Sequence, residues 1–253
     1  MYLWNLKTRQ MLLAIDIGNT QIKSAVFEQD KLLQKDVFPH LDWQNYVKNI
    51  LKNFSKIENI VVSSVGKIEK SAFSVFLDEV KVHFISRENR FPFVNKYSTP
   101  TTLGIDRMIL ASGAVLKFPN CNRLIIDAGT CVTYDFIDQN NHYLGGAISP
   151  GIRLRYESLH NYTAKLPLLT KENPKESIGN STEESIHSGV INGISFEIDG
   201  FINRYSNNNE NFIIILTGGD AEFLAKRLKN TIFANSNFLL ESLNQTFQYN
   251  QND

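Results

Sequence analysis

The chain has 253 residues, of which 42% are hydrophobic and 21% are charged. This composition is typical of a folded globular protein and excludes a chain that is disordered along most of its length. Lys and Arg number 26 and Asp and Glu also number 26, and this balance argues against nucleic acid or an anionic membrane as a partner. The two cysteines, Cys121 and Cys131, are too few for a disulfide framework and lack the CxxC spacing of a zinc site, so we expect a reducing, cytoplasmic environment.

Residues 1–10 precede the first predicted strand, and we interpret them as an N-terminal extension outside the fold. The apolar run that follows them is interrupted at Asp16 after five residues. A run of that length is too short for the apolar region of a signal peptide or for a membrane span. We therefore expect no membrane partner.

The first half of the chain, residues 11–119, alternates between strand-like and helical patterns. Three short strands separated by polar turns predict an antiparallel meander. The elements after it predict a mostly parallel sheet with helical crossovers, and a further helix, with Ile105 and Leu116 among its apolar positions, ends before Pro119. The other predicted elements are strands at 11–18, 24–28, 32–38, 59–66 and 82–86, and helices at 42–54 and 69–80.

The second half, residues 120–253, repeats the opening pattern. A strand over residues 123–130 ends in Asp127-Ala-Gly-Thr130, as the first strand ends in Asp16-Ile-Gly-Asn-Thr20. The two aspartates lie 111 positions apart, and further short strands follow each of them. We therefore predict a duplicated fold.

A long helix is predicted near the middle of the second half, because apolar residues recur there at every fourth position between Ile186 and Ile202. Ser181 and Glu184 have the spacing of a capping box at its start. Gly189 and Gly193 lie on a neighbouring face, which suggests the close approach of another backbone, and a subunit interface is one place for it. Residues 212–220 read as a strand that enters a Gly-Gly turn, followed by a helix over 221–228, whereas the Asn- and Gln-rich segments 207–211 and 244–253 read as a polar loop and a frayed terminus.

Three strand-to-turn segments combine glycine, hydroxyl and aspartate residues, at 16–20, 127–130 and 217–220. Glycine lets backbone N–H groups approach a phosphate, hydroxyl and amide side chains add donors, and an aspartate can hold a cation that neutralises phosphate charge. One such turn alone is a weak signal. The three together predict phosphoryl transfer, which depends mainly on positioning and electrostatic stabilisation.

Five motifs in this order resemble those of type III pantothenate kinases. They are DIGNTQIK at residues 16–23, LGIDR at 103–107, IDAGTCVT at 126–133, YLGGAISPG at 143–151 and LTGGDA at 216–221. The wider resemblance is to the superfamily of acetate and sugar kinases, heat-shock chaperones and actin. It implies an α/β fold class with two ribonuclease-H-like halves, each a mixed sheet with flanking helices, in a duplicated actin-like ATPase fold. The halves would be 11–119, with the first phosphate loop, and 120–253, with the second phosphate loop and a Gly-Gly turn on the adenosine side.

The resemblance implies that the γ-phosphoryl group of ATP is transferred to the hydroxyl of pantothenate. The product is 4′-phosphopantothenate, in the first step of coenzyme A biosynthesis. Asp106 matches the proton acceptor, and Asp127 matches the ligand of a monovalent cation, K⁺ or NH₄⁺, while Mg²⁺ is expected because the developing phosphate charge needs neutralising. The positions that match ATP contacts are Asp16, Ile17, Gly18, Asn19, Thr20, Gln21, Ile22, Lys23 and Thr130, and those that match pantothenate contacts are Tyr97, Gly104, Ile105, Asp106, Arg107 and Thr182.

The family resemblance also implies a homodimer with the site near its interface, so that Thr182 would come from the partner subunit. Each residue has an ordinary alternative: Asp106 as a charge at a helix N-terminus, Thr182 as a helix cap, Tyr97 as a loop aromatic, Asp127 as a hydrogen-bonded strand-end carboxylate and Lys23 as a solvated edge residue.

We interpret Cys131 as a small buried thiol, and the five histidines, which lack metal-ligand spacing, as structural or surface residues. Two other functions stay open: a non-catalytic nucleotide-binding regulator, and a kinase of the same fold for another acceptor.

Overall fold

The computed structural model describes residues 11–64, 68–206 and 211–251, so the predicted N-terminal extension and most of the predicted loop at 207–211 lie outside the described residues. The chain divides into two compact units. Unit 1 consists of the described residues of Met1–Pro92, Thr99–Leu116 and Leu239–Asp253, and unit 2 consists of those of Phe93–Ser98 and Lys117–Phe238. These units differ from the predicted halves chiefly because residues 93–98 cluster with unit 2 and the C-terminal segment clusters with unit 1.

Unit 1 is built on a mixed five-stranded sheet in the order β3-β2-β1-β4-β5. The predicted antiparallel meander is confirmed, since β1 pairs with β2 and β2 pairs with β3 in antiparallel fashion. β4 and β5 then add in parallel next to β1. The strands are β1 (Met11–Ile17), β2 (Ile22–Glu28), β3 (Lys31–Phe38), β4 (Ile57–Ser64) and β5 (Lys81–Phe84).

Two α-helices of unit 1 were predicted and are present, α1 (Trp43–Asn53) and α2 (Ile105–Lys117). The helix predicted over 69–80 is present in part, as a 3₁₀ helix at Lys70–Phe76. Phe73 and Phe76 lie three residues apart, which aligns them on one face of a 3₁₀ helix. Both are buried, and their ring centroids lie 4.6 and 5.9 Å from that of Trp43. The 3₁₀ helix therefore places both rings against Trp43.

The sheet of unit 2 has the order β11-β10-β7-β8-β9-β6. Read from β9 to β11, its strands follow the same order and directions as those of unit 1 from β3 to β5, with β6 added at the outer edge of β9. The predicted duplication is thus confirmed in the topology. The strands are β6 (Val94–Asn95), β7 (Asn122–Ala128), β8 (Cys131–Ile137), β9 (His142–Pro150), β10 (Phe212–Thr217) and β11 (Phe233–Ala234).

Helices α3 (Ile152–Asn161), α4 (Thr182–His187), α5 (Gly193–Ser206) and α6 (Ala221–Ala225) also belong to unit 2. A π-helical turn at Ser188–Asn192 joins α4 to α5, so the predicted long helix is present. The predicted cap is confirmed as well, since the Ser181 hydroxyl accepts the Glu184 backbone N–H at 3.2 Å. A Cβ on Gly189 or Gly193 would meet no atom of the described chain within 4 Å, so no close backbone approach is found there within one chain.

The C-terminal segment forms a helix, α7 (Phe238–Gln251), and the frayed terminus predicted over 244–253 is wrong as far as residue 251. Leu239, Leu243 and Phe247 recur at four-residue steps and are buried. Polar residues of the same helix donate to backbone carbonyls of unit 1: Asn244 Nδ2 donates to the Gln29 carbonyl at 2.8 Å, and Asn250 Nδ2 donates to the Arg90 carbonyl at 3.1 Å. An Asn- and Gln-rich sequence can therefore be a packed helix when its amides have fixed acceptors. Within the described ranges, no helix is both long and apolar enough to cross a bilayer.

Arg123 on β7 is fully buried, and its guanidinium hydrogen-bonds to the segments that precede β7 and follow β8. Its Nε donates to the Phe118 carbonyl at 2.7 Å and its Nη1 to the Asp138 carbonyl at 2.9 Å. Burial lowers the pKa of its guanidinium. Because Arg123→Met leaves both carbonyls without these donors, we expect it to lower the free energy of unfolding by about 2 kcal/mol in a urea titration.

The matched control is Arg153→Met on α3, where the guanidinium is exposed and lies 3.5 Å from Glu157. An exposed ion pair of this kind contributes about 0.5 kcal/mol or less. Equal losses in the two variants would contradict the role given to Arg123.

Candidate active site

The first predicted phosphate loop is the turn between β1 and β2. Residues 19–21 of the turn are exposed, and Gly18 N–H donates to the Gln21 carbonyl at 3.2 Å, which closes a tight hairpin. Asp16 is buried at the end of β1, directly opposite Lys23 on β2 and beside Ser63 on β4. Residues that face each other in register project to one side of a sheet. The Asp16 carboxylate, the Lys23 ammonium and the Ser63 hydroxyl therefore belong to the same face of the sheet, next to the loop.

The second predicted phosphate loop, Gly129–Thr130, follows β7 in the same way. Asp127 lies opposite Thr133 on β8 and beside Thr217 on β10, which are the positions that Lys23 and Ser63 occupy around Asp16. The duplicated halves therefore present the same carboxylate at the end of the same central strand. They differ on the antiparallel neighbour, where Lys23 faces Asp16 in the first half and Thr133 faces Asp127 in the second.

Two turns of unit 2 hold this second loop in place. Gly151 N–H donates to the Thr130 carbonyl and Asp220 N–H donates to the Ala128 carbonyl, both at 3.0 Å. Gly218 has φ +97°, and a Cβ there would lie 2.3 Å from the Ala128 oxygen and 2.5 Å from Asp127 Oδ1. Only glycine fits such a conformation and spacing. The third predicted turn thus packs directly on the strand-end aspartate.

Asp106 lies in the first turn of α2, where its Oδ1 accepts the Arg107 backbone N–H at 2.9 Å. A Cβ on Gly104 would lie 2.4 Å from that same oxygen, so glycine at 104 makes room for the carboxylate. Arg87 was missed by the sequence analysis, and its guanidinium donates to the Leu103 carbonyl at 2.6 Å through Nη2. Hydrogen bonds at Leu103 and at Arg107 N–H therefore fix the segment that carries Asp106. The Arg107 side chain is buried.

Tyr97 and Thr182 both lie in unit 2. The Tyr97 ring contacts Gly145, where a Cβ would lie 3.2 Å from two ring carbons, and its centroid is 6.1 Å from that of Tyr143. Thr182 is the first residue of α4 and is exposed, and the cap is Ser181 rather than Thr182. It lines an open groove of about 970 Å³ together with Arg155, Ser158, Ile186 and other residues of α3 and α4.

A sequence model of the type III pantothenate kinase family matches residues 12–204, more than half of the chain. The chain belongs to the type III pantothenate kinase family. Type III pantothenate kinase of Flavobacterium johnsoniae is 64% identical over 239 residues, which cover 94% of this chain and 98% of that protein. The corresponding enzyme of Bacteroides fragilis (strain YCH46) is 35% identical over 240 residues, covering 95% and 98%. The chain is therefore an ATP-dependent pantothenate kinase of coenzyme A biosynthesis, as its motifs predict.

Solved structures support the fold of this kinase. A conserved Baf family protein from Campylobacter jejuni superposes with a TM-score of 0.62 at 21% identity, covering 95% of this chain and all of that one. Component A of (R)-2-hydroxyglutaryl-CoA dehydratase from Acidaminococcus fermentans gives 0.54 at 12% identity, covering 95% and 97%. At these identities the likeness concerns the fold alone, and it confirms the predicted actin-like ATPase fold.

Cys131 of the kinase is exposed, so the prediction of a small buried thiol at this position is wrong and applies instead to Cys121. Cys131 is the first residue of β8 and comes directly after the Gly129–Thr130 loop. Across the described segments, no three His, Cys, Asp or Glu side chains are grouped so as to hold a metal ion. His187 is buried and its Nδ1 lies 2.7 Å from the Tyr156 hydroxyl, which is a structural contact.

Proposed function

We propose that Asp106 is the proton acceptor of this pantothenate kinase. The observation that supports the proposal is the fixed position of its carboxylate at the start of α2, with Oδ1 held by the Arg107 N–H and Gly104 leaving space beside it. Oδ1 is engaged by the backbone, so the second carboxylate oxygen can orient the acceptor hydroxyl. As that hydroxyl oxygen forms a bond to the γ-phosphorus, the bond to the β-γ bridging oxygen breaks, ADP leaves and the hydroxyl proton passes to Asp106.

ATP is bound through both phosphate loops in this proposal. In the first loop Lys23 supplies a positive charge for the phosphates, and the turn supplies backbone N–H groups. In the second loop Thr130 supplies a hydroxyl donor. The full set proposed for ATP is Asp16, Ile17, Gly18, Asn19, Thr20, Gln21, Ile22, Lys23 and Thr130.

Pantothenate is a hydroxy acid with an amide, and the proposed contacts suit its groups. The planar guanidinium of Arg107 matches a carboxylate. Gly104 and Ile105 directly precede Asp106 in the chain and belong to the same proposed set, and Tyr97 offers an aromatic ring and a hydroxyl. Thr182 completes the set and, in a homodimer, is supplied by the partner subunit, which accords with its exposure in the single chain.

A monovalent cation, K⁺ or NH₄⁺, is proposed at Asp127. The donors fit such an ion, because β7 ends with the Asp127 carboxylate followed directly by the Ala128 carbonyl oxygen. Hard cations prefer oxygen ligands of this kind. The ion would supply positive charge beside the second phosphate loop, and Mg²⁺ would neutralise the phosphates of ATP. A reducing cytoplasm suits the exposed thiol of Cys131.

The first test measures ADP release by the purified kinase with ATP and Mg²⁺, with and without pantothenate, in potassium and in sodium buffer. We expect release to depend on pantothenate and to be faster in potassium, and we expect Asp127→Asn to abolish the difference between the two salts. Glucose serves as a control acceptor. Equal rates in both salts would contradict the cation site, and release that glucose stimulates more than pantothenate does would contradict the acceptor.

A further inference from the structure

Glu197 on α5 lies at the centre of a polar cluster that the sequence analysis did not find. Its Oε1 accepts the hydroxyls of Tyr134 at 2.9 Å and Ser149 at 2.5 Å, and its Oε2 accepts Arg155 Nη2 at 2.6 Å. Burial opposes the charge of Glu197, but these hydrogen bonds and the Arg155 charge outweigh burial and lower the pKa of its carboxyl. The carboxylate is thus held in its charged form by donors from β8, β9 and α3.

The guanidinium of Arg155 connects this carboxylate to the turn between β9 and α3. While Nη2 donates to Glu197, Nε donates to the Pro150 carbonyl at 2.9 Å. Arg155 also donates its backbone N–H to the Gly151 carbonyl at 3.1 Å. A planar fork that uses two N–H groups in fixed directions restricts the turn more than a single ammonium could.

That turn touches the second phosphate loop directly. Gly151 N–H donates to the Thr130 carbonyl at 3.0 Å, and a Cβ on Gly151 would lie 2.1 Å from the Gly129 oxygen. Since the turn and the loop share this hydrogen bond and leave no room for a side chain at residue 151, we expect a displacement of Pro150 or Gly151 to disturb Gly129 and Thr130. A short chain of contacts therefore leads from Glu197 through Arg155 and the Pro150–Gly151 turn to the loop.

We propose that Glu197 and Arg155 are positioning residues that hold the Gly129–Thr130 loop in the geometry that binds the phosphates of ATP. The inference rests on the proposed function, in which Thr130 contacts ATP. Neither residue is proposed to contact the nucleotide. Their effect passes through the backbone of the Pro150–Gly151 turn, so it should fall on ATP and phosphoryl transfer more than on pantothenate binding.

The test compares Glu197→Gln and Arg155→Lys with the wild-type kinase. Glutamine keeps an acceptor for Tyr134 and Ser149 but loses the charged pair, and lysine keeps the charge but has one nitrogen in place of the two that donate to Glu197 and Pro150. We expect each variant to lower kcat/KM for ATP about tenfold, since small misplacements at a phosphoryl-transfer site can cost up to ~100-fold. For Glu197→Gln, which lies outside the groove lined by Thr182, KM for pantothenate should stay within about twofold of the wild-type value. Hydrogen exchange of the backbone N–H groups in residues 129–131 should become faster.

The matched controls are Glu157→Gln and Arg153→Lys, which alter an exposed ion pair on the same helix α3. They should leave kcat/KM for ATP unchanged. If Glu197→Gln does not fold, Ser149→Ala removes one donor to the same carboxylate and should produce a smaller change in the same direction. Equal changes in the kcat/KM for ATP and the KM for pantothenate, or values for Glu197→Gln and Arg155→Lys equal to those of the controls, would overturn the proposal.

Failure of the positioning role and failure of the proposed function can be told apart with Thr130→Val. If Thr130→Val raises KM for ATP but Glu197→Gln and Arg155→Lys do not, the positioning role is wrong and the ATP contact stands. If Thr130→Val leaves KM for ATP unchanged, the assignment of Thr130 itself is wrong, and the positioning proposal is withdrawn with it.

Discussion

Replacing Asp106 by Asn is expected to lower kcat by a factor of about 10²–10⁴, the usual contribution of a positioned general base. Asparagine has nearly the same shape, and its side-chain oxygen can still accept the Arg107 N–H that Asp106 Oδ1 accepts at 2.9 Å. What it loses is the ability to take up the hydroxyl proton. The loss should therefore appear in kcat, while the affinity for a non-hydrolysable ATP analogue, measured by calorimetry, changes little.

Asp42→Asn is the matched control for this substitution. Asp42 immediately precedes α1 in the same unit and its carboxylate accepts Asn45 Nδ2 at 2.6 Å, so the variant removes the same charge from a helix N-terminus away from the proposed site. It should retain wild-type turnover. If Asp106→Asn also retained it, Asp106 would be only a favourable charge beside the N-terminus of α2.

The parts of the site that sequence could predict are those in which a strand ends on a short motif. Asp16 and Asp127 were found because each follows an apolar strand, and the structure places them at the same position of two sheets with the same strand order. The apolar periodicity leaves few alternatives there, since it predicts a buried strand and the glycine and polar residues that follow predict a turn. Local patterns of this kind carry most of the topology.

The parts that sequence could not predict depend on contacts between distant residues. The helix α7 looked like a polar tail because its Asn and Gln residues find their acceptors at Gln29 and Arg90, more than 150 positions earlier. Likewise, Glu197 becomes part of a network only through Arg155 and Ser149, which lie more than 40 positions away. No spacing rule relates such residues, so their roles emerge only when the fold brings them together.

The conformation of Gly218 leads to the second large expected effect. At φ +97° an L-residue is strained by about 1–3 kcal/mol, and the added methyl of Gly218→Ala would lie 2.3 Å from the Ala128 oxygen and 2.5 Å from Asp127 Oδ1. The Ala128 oxygen is a backbone atom directly before the second phosphate loop, so it cannot move without shifting that loop, and the Asp127 carboxylate would have to turn away as well. We expect kcat/KM for ATP to fall by a factor of about 100 or more, because the displacement would affect the phosphate contacts directly.

The measurement is steady-state kinetics of Gly218→Ala in potassium and in sodium, with Gly200→Ala as the control. Gly200 lies on α5, and a Cβ there would meet no atom of the described residues within 4 Å. Its replacement should leave the kinetics unchanged and favour the helix by about 1 kcal/mol. Because the added methyl would displace the Ala128 carbonyl oxygen and Asp127 Oδ1, the oxygens proposed to hold the cation, the variant should lose the advantage of potassium together with its affinity for ATP. Loss of ATP affinity with the potassium advantage intact would place the cation somewhere other than Asp127.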